Sequence, residues 1–402
     1  MSEKKSMTLK IMCSMVAGIF FGSVFQEGAQ AVRILGDIFL RMIQMAIVPL
    51  ILGQIIESVG GLNPKELGKL GVKTVMIFSV SSYLAAAFGI FMGVMLKPGL
   101  GLQMTQTTIQ QSSANQLLSL NETVLGFFPK NIFQSMAEGN IVQIIVFALL
   151  FGIALSYSRL EGKGESIYEG IKHLNAIIIK MIYLVMRLAP LGIFSLVAST
   201  IGELGLEVIL PLVKYLLVYG VATFLFLGLW FIVASLYTKI KVLNLIKGMT
   251  QMSFMALATT SSAVTLPTAM KDASEKLRIS ERINKLVLPL GMSLNSNGSA
   301  MHMAITVVTI SQFWDVEYSI ATYFYIAGLA MILSLANAVV PGAGLVSLAI
   351  ILPQMNLPLE SIAFFAGVEW FVGMLRTILN VDSDVFTALL VAKSENEIAQ
   401  TS

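Results

Sequence analysis

The sequence predicts an all-α polytopic membrane protein. The mean hydropathy is +0.82 over 402 residues, 56% of them hydrophobic and only 12% charged. Apolar runs of spanning length also recur along the whole chain. Soluble domains carry about a quarter charged residues, so this composition is not theirs. Only helices and closed barrels satisfy their backbone in lipid, and the runs are continuous rather than alternating in tens, which favours helices. The single cysteine, Cys13, excludes a disulfide framework within one chain. A net charge of +3, spread over short loops, gives no hint of nucleic acid.

Apolar spans are expected at 7–25, 31–58, 72–96, 140–157, 174–202 and 208–237. The first follows a basic start, as a signal peptide would, but no small-residue cleavage site stands out, and it reads as a retained helix. Lys4, Lys5 and Lys10 precede span one, and Lys65, Lys69 and Lys73 follow span two. Arg159, Lys163 and Lys172 follow span four; Lys239, Lys241 and Lys247 follow span six. The other loops hold few cations, so the positive-inside rule places the N-terminus in the cytoplasm. The polar connection between 97 and 139 contains a formal glycosylation acceptor at Asn121, to which no weight attaches.

Beyond residue 249 the pattern changes. "FMALATTSSAVTLPTAM" (254–270) has hydroxyls and a proline at its middle, and "SLANAVVPGAGLVSLAIILP" (334–353) has Pro341 between small residues. Each reads as two half-helices meeting at a non-helical tip, or else as a kinked spanning helix. Irregular backbone at membrane depth is tolerated where it is buried in protein or lines a wet cavity, and a pair of such segments points to a transporter's binding site. Between them, Asn295, Ser296, Asn297, Gly298 and Ser299 interrupt an apolar helix. Helix–helix hydrogen bonding explains an isolated Asn. Five such residues in a row predict an unwound turn whose oxygens can bind a monovalent cation.

"EWFVGMLRTILNVDSD" (369–384) gathers four charges in an apolar stretch. At about 100° per residue, Glu369, Gly373, Arg376, Thr377, Asn380 and Asp384 fall within about 100° of arc. Asp382, at about 220°, is expected to face water at the helix end. Charges inside a membrane face a cavity, pair with each other or bind something. A structural Glu369–Arg376 pair accounts for two of these residues and leaves the rest of the stripe unexplained. The stripe therefore reads as a binding face, with Arg376 gripping a carboxylate through its planar fork and Asp384 an oxygen ligand for a cation.

These residues resemble the dicarboxylate/amino acid:cation symporters. "MIQMAIVPLILGQIIESVGGL" and "EGNIVQIIVFALLFGIAL" are similar to the family's second and fourth helices, and "RLAPLGIFSLVAST" to its fifth. "TLP" and "VPGAG" resemble its hairpin tips, and "RTILNVDSD" its R-T-x-x-N-V-x-G-D pattern. The resemblance covers nearly the whole chain. It implies eight transmembrane helices and two re-entrant hairpins, near 249–274 and 330–358, assembled as a homotrimer. Residues 1–71 and 119–202 would be mainly scaffold, and 72–96 and 208–393 mainly a mobile transport part. Carried over, Arg376 would bind a substrate carboxylate, with Thr377, Asn380 and Ser299 beside it. Ser262, Val340, Pro341 and Gly344 would line the gates. Asn295, Asn297, Asn380, Asp384, Ser81 and Ser82 would hold sodium, and no resident cofactor is implied.

Several departures from the family pattern bear on chemistry. Asn297 stands for an aspartate and Ser296 for a methionine, and Phe78 for a frequent tyrosine, which predicts fewer bound sodium ions or proton coupling. Glu369 replaces an aspartate and is a possible proton carrier. His302 is a possible relay, although a lone helix histidine is more often packed. Gly373 replaces the aspartate that meets a substrate ammonium, while Arg376 is kept, as in the C4-dicarboxylate branch. The expected activity is symport of a C4-dicarboxylate with sodium or protons across a bacterial inner membrane, both chain termini cytoplasmic. Glu369 leaves an acidic or neutral amino acid open, and the same fold leaves an anion channel or a non-transporting receptor open. An intramembrane hydrolase using Ser262 and His302 lacks an orienting acid and a G-x-S-x-G elbow.

Overall fold

The structure, a computed structural model, describes residues 2–62, 64–101, 125–335 and 343–398. Among the described residues it is helical throughout, apart from one isolated bridge between Ile279 and Ile398. Helices α1 (Ser2–Val24), α2 (Gln26–Gly60) and α3 (Pro64–Leu96) come first. The short α4 (Ile132–Glu138) and the apolar α5 (Ile141–Leu160) start where Asn131 and Asn140 accept hydrogen bonds from the first free backbone amides. Among the described residues, four segments are long and apolar enough to cross a membrane: 26–60, 70–96, 141–160 and 206–238.

The span expected at 174–202 is two helices, α6 (Glu165–Arg187) and α7 (Ala189–Leu204), bent by 53°. Pro190 is the cause: at the second position of α7 it lacks an N–H, and its ring would collide with the carbonyl one turn back. The long α8 (Ile209–Thr238) follows.

The region after 241 folds back on itself. Helix α9 (Val242–Thr259) and α10 (Ser262–Glu275) run antiparallel, held where the Met252 N–H donates to Asp272 Oδ2 (3.0 Å) and Lys276 Nζ to Gln251 Oε1 (3.1 Å). The expected first half-helix pair is therefore a helical hairpin, and its turn is Thr260–Ser261. The unwinding expected over 295–299 is confined to Asn295 and Ser296, between α11 (Glu281–Leu294) and α12 (Asn297–Phe313). Helix α13 (Ile320–Ser334) packs on α14 (Ala343–Gln354). The short α15 (Ile362–Ala366) leads into α16 (Glu369–Ser394), which is buried on nearly every side.

Two groups of helices emerge from the packing. Helices α1, α2, α5, α6 and α7 pack chiefly on one another, while α3, α8–α12 and α14 surround α16 and α13 packs on α3 and α12. Apolar side chains such as Phe20, Leu184 and Leu236 point outward, as lipid-facing residues do. After α16, Glu397 accepts from Ser280 and Arg282, and Glu395 pairs with Lys73 (3.0 Å), tying the segment that follows α16 to α11 and α3.

Close approach of α1 and α7 depends on Gly22, where an added β-carbon would lie 2.4 Å from the Ala198 carbonyl oxygen. Gly22→Val should lower stability by about 1–3 kcal/mol through overpacking. Thermal melting in detergent measures it; an unchanged midpoint contradicts the close contact.

Candidate functional site

The site is built around α16. Arg376 and Glu369 are both buried, and Arg376 Nη2 donates to Glu369 Oε1 at 3.1 Å. Glu369 Oε1 also accepts from the Gly344 N–H (2.9 Å), so the start of α14 lies directly over the ion pair. A β-carbon on Gly344 would fall 2.1 Å from Arg376 Nη1 and 2.2 Å from Glu369 Oε2, which is why glycine stands there. Arg376 Nη1 and Glu369 Oε2 are buried with no hydrogen-bond partner among the described residues. Unpaired polar groups of this kind are costly, and they mark where a ligand atom gains most.

One turn on, the N-terminus of α12 crosses α16. Gly298 sits so close that a β-carbon would lie 2.3 Å from the Arg376 carbonyl oxygen. Its N–H donates to Asn380 Oδ1 (2.7 Å), and its carbonyl accepts from the Tyr219 hydroxyl of α8 (3.0 Å). Asn380 Nδ2 reaches Ser299 Oγ at 3.5 Å. Thr377 Oγ1 bonds back to the Gly373 carbonyl (2.7 Å).

A second polar cluster joins α3, the break before α12 and α16. Ser81 and Ser82 donate to Asn297 Oδ1 at 3.1 and 2.8 Å, and Ser82 also approaches Asn295 Oδ1 at 3.4 Å. Asn295 Nδ2 donates to Asp384 Oδ1 (2.8 Å). Asn297 Nδ2 is buried with no partner among the described residues. A small cavity beside Asp384 is walled by Ser262, Leu266, Leu288 and Val381. Phe78, buried near Ser81, brings no hydroxyl to this cluster.

The structure thus brings Glu369, Gly373, Arg376, Asn380 and Asp384 against the turn of the first hairpin, the start of α14, the helix break and α12, with Asn295, Asn297, Ser81 and Ser82 in one hydrogen-bonded chain. Val340 and Pro341 lie outside the described residues. Asp382 corrects the helical-wheel expectation: it does not face water but is 2% exposed, and both its oxygens accept from Ser253 Oγ of α9, at 2.9 and 3.0 Å. The wheel assumed a wet face at Asp382, whereas α16 is enclosed by other helices there. His302 is fully buried beside the rings of Tyr215 and Tyr219, and neither ring nitrogen has a partner among the described residues. Tyr219 and Ser253 were missed from the sequence because nothing marks a tyrosine or serine in an apolar helix until its partner is known.

Residues 7–394 match the model of the sodium:dicarboxylate symporter family. The chain belongs to that family. The symporter is thus a transport protein, not an enzyme, and a multi-pass membrane protein. It is 32% identical to the "Proton/glutamate-aspartate symporter" of Escherichia coli (strain K12), over 98% of this chain and 94% of that protein. It is 30% identical to the "C4-dicarboxylate transport protein" of Bacillus subtilis (strain 168), over 98% and 94% of the two chains. It is 29% identical to the "Proton/glutamate-aspartate symporter" of the same Bacillus strain, over 99% and 97%.

Gly344→Ala should prevent α14 from seating on the ion pair. The symporter should then lose at least about tenfold in kcat/KM for its substrate while still folding, since misplacement of about 1 Å can cost far more. Uptake by reconstituted protein measures this, and wild-type kinetics would refute the contact.

Proposed function

We propose that the symporter imports a small dianion, a C4-dicarboxylate such as succinate, fumarate or malate, by alternating access coupled to sodium or protons. The observation that carries the reading is the pairing of Arg376 with Gly373. A buried guanidinium offers Nη1 to an incoming carboxylate, and one turn earlier the same helix has no side chain to hold an ammonium. Of the pocket's charges, Glu369 already shares one oxygen with Arg376 and Gly344. An ammonium buried without a partner would cost several kcal/mol.

The amino-acid reading has one observation in its favour: Glu369 Oε2 has no partner among the described residues and would suit an ammonium. Relatives whose names specify glutamate and aspartate or C4-dicarboxylates lie at similar identity.

For the cation, Asp384 with the oxygens of Asn295 and Asn380 is the donor set for sodium, in line with half-helix ends that hold such ions in transporters. Glu369 is the group that would take a proton. Asn297, Ser81 and Ser82 form a neutral cluster whose amide oxygen is engaged by two hydroxyls. The mutual packing of α1, α2 and α5–α7 supports their reading as a trimeric scaffold, with α3 and α8–α16 as the part that moves. The two helical pairs, α9–α10 and α13–α14, serve as re-entrant hairpins beside eight spanning segments. The basic loops support a bacterial inner-membrane orientation with both termini on the cytoplasmic side.

Uptake into proteoliposomes, with succinate and aspartate competing under separate sodium and proton gradients, should favour succinate and require one gradient. Preference for aspartate overturns the dicarboxylate reading, and indifference to both gradients overturns coupling. Arg376→Ala should lower kcat/KM by about 100-fold or more, because it strands both Glu369 and the substrate carboxylate. Asn297→Asp adds a full charge beside Ser81 and Ser82, and should lower the half-saturating sodium concentration by at least about tenfold. Sodium titration of uptake measures it, and an unmoved curve refutes that site.

A further inference from the structure

The tip of the first hairpin holds a feature that no role assigned so far uses. Thr260 follows α9 in a left-handed conformation, φ 51° and ψ 30°. A β-branched residue there is a true outlier, and such strain persists only where the surroundings impose it, commonly at ligand sites. Glycine would adopt this turn without steric strain.

The geometry shows what the threonine does in that position. Its N–H donates to the Ala256 carbonyl (3.0 Å), and its hydroxyl turns back to the Thr259 carbonyl (2.8 Å). With the hydroxyl occupied, the methyl group is what faces α16. A β-carbon built on Gly373 would stand 3.9 Å from that methyl carbon and 3.7 Å from Arg376 Nη2. These are ordinary contact distances, so a small side chain fits at 373 and steric crowding does not explain the glycine. Thr260 is 4% exposed, so the methyl closes the space above Gly373 rather than lining open solvent.

We infer that Thr260 is a specificity-determining residue. Its methyl and the bare backbone of Gly373 form one apolar wall beside Arg376, which excludes both an ammonium and the water that would solvate one. This inference rests on the reading of Arg376 as the substrate anchor. The strained turn is retained because it aims the methyl at the wall, which a glycine turn cannot do. Discrimination by one methyl in a closed pocket is worth about 10- to 200-fold.

The experiment compares the unsubstituted chain with Thr260→Ser and Thr260→Gly, using labelled succinate and aspartate in proteoliposomes. Thr260→Ser keeps the hydroxyl bond and removes only the methyl. Both variants should raise kcat/KM for aspartate relative to succinate by about tenfold or more. Thr260→Gly should also melt at a higher temperature, as the strain is relieved. A purely structural threonine would move the melting temperature and leave the substrate ratio alone, and that result overturns the inference. So does an equal change for both substrates. If the unsubstituted chain prefers aspartate, the dicarboxylate reading fails, but the shift in ratio between variants still decides the role of Thr260. If Arg376→Ala leaves uptake unchanged, the anchor falls and the wall with it.

Discussion

The buried pair between Glu369 and Arg376 is the constraint on which the rest of the site depends. Two charges removed from water cost several kcal/mol each unless they are held and hydrogen-bonded with care. The surrounding elements meet that demand in order. Gly344 brings a backbone N–H to the carboxylate, and Gly298 lets α12 lie against the backbone that carries the guanidinium. The second hairpin helix, the helix break and α16 converge because two buried charges need a protein shell. Among the described residues, Arg376 Nη1 and Glu369 Oε2 are the atoms of the pair left without partners.

The polar architecture divides into two halves along a single helix, one around Arg376 and one around Asp384. Arg376 lies two turns before Asp384, and Asn380 between them is held by the Gly298 N–H. That bond joins the halves mechanically, since any shift of α12 against α16 disturbs both. Asp382 adds a third attachment on the opposite side, where Ser253 ties the first hairpin to the same helix. Helix α16 is therefore a spine gripped from several directions.

Much of this was legible in residue order. The stripe from Glu369 to Asp384, the hairpin turn near 260 and the helix break before Gly298 follow from periodicity and from polar residues placed where lipid forbids them. Other parts were not. Asp382 was assigned to water because a helical wheel presumes a wet face, and α16 has none at that position. The run 174–202 looked continuous because hydropathy does not register the missing N–H of Pro190. The unwound turn was expected over five residues and occupies two, since Gly298 and Ser299 find helical partners once α16 is in place. Thr260 carried no signal, because a left-handed turn is a property of backbone geometry and threonine is not the residue that announces one.

The cluster of Ser81, Ser82, Asn295, Asn297 and Asp384 also bears on how the chain is made. Its members lie in α3, at the break before α12 and in α16, so the earliest and latest are separated by about 300 residues of synthesis. At about 5–20 residues per second, roughly 15–60 seconds pass between the emergence of Ser82 and that of Asp384. For more than two thirds of that interval, until Asn297 emerges, α3 lacks the amide that Ser81 and Ser82 share, and Ser81 has only its bond to the Phe78 carbonyl. Insertion of the early helices must therefore be provisional, and the last helix to leave the ribosome completes the polar interior of the first.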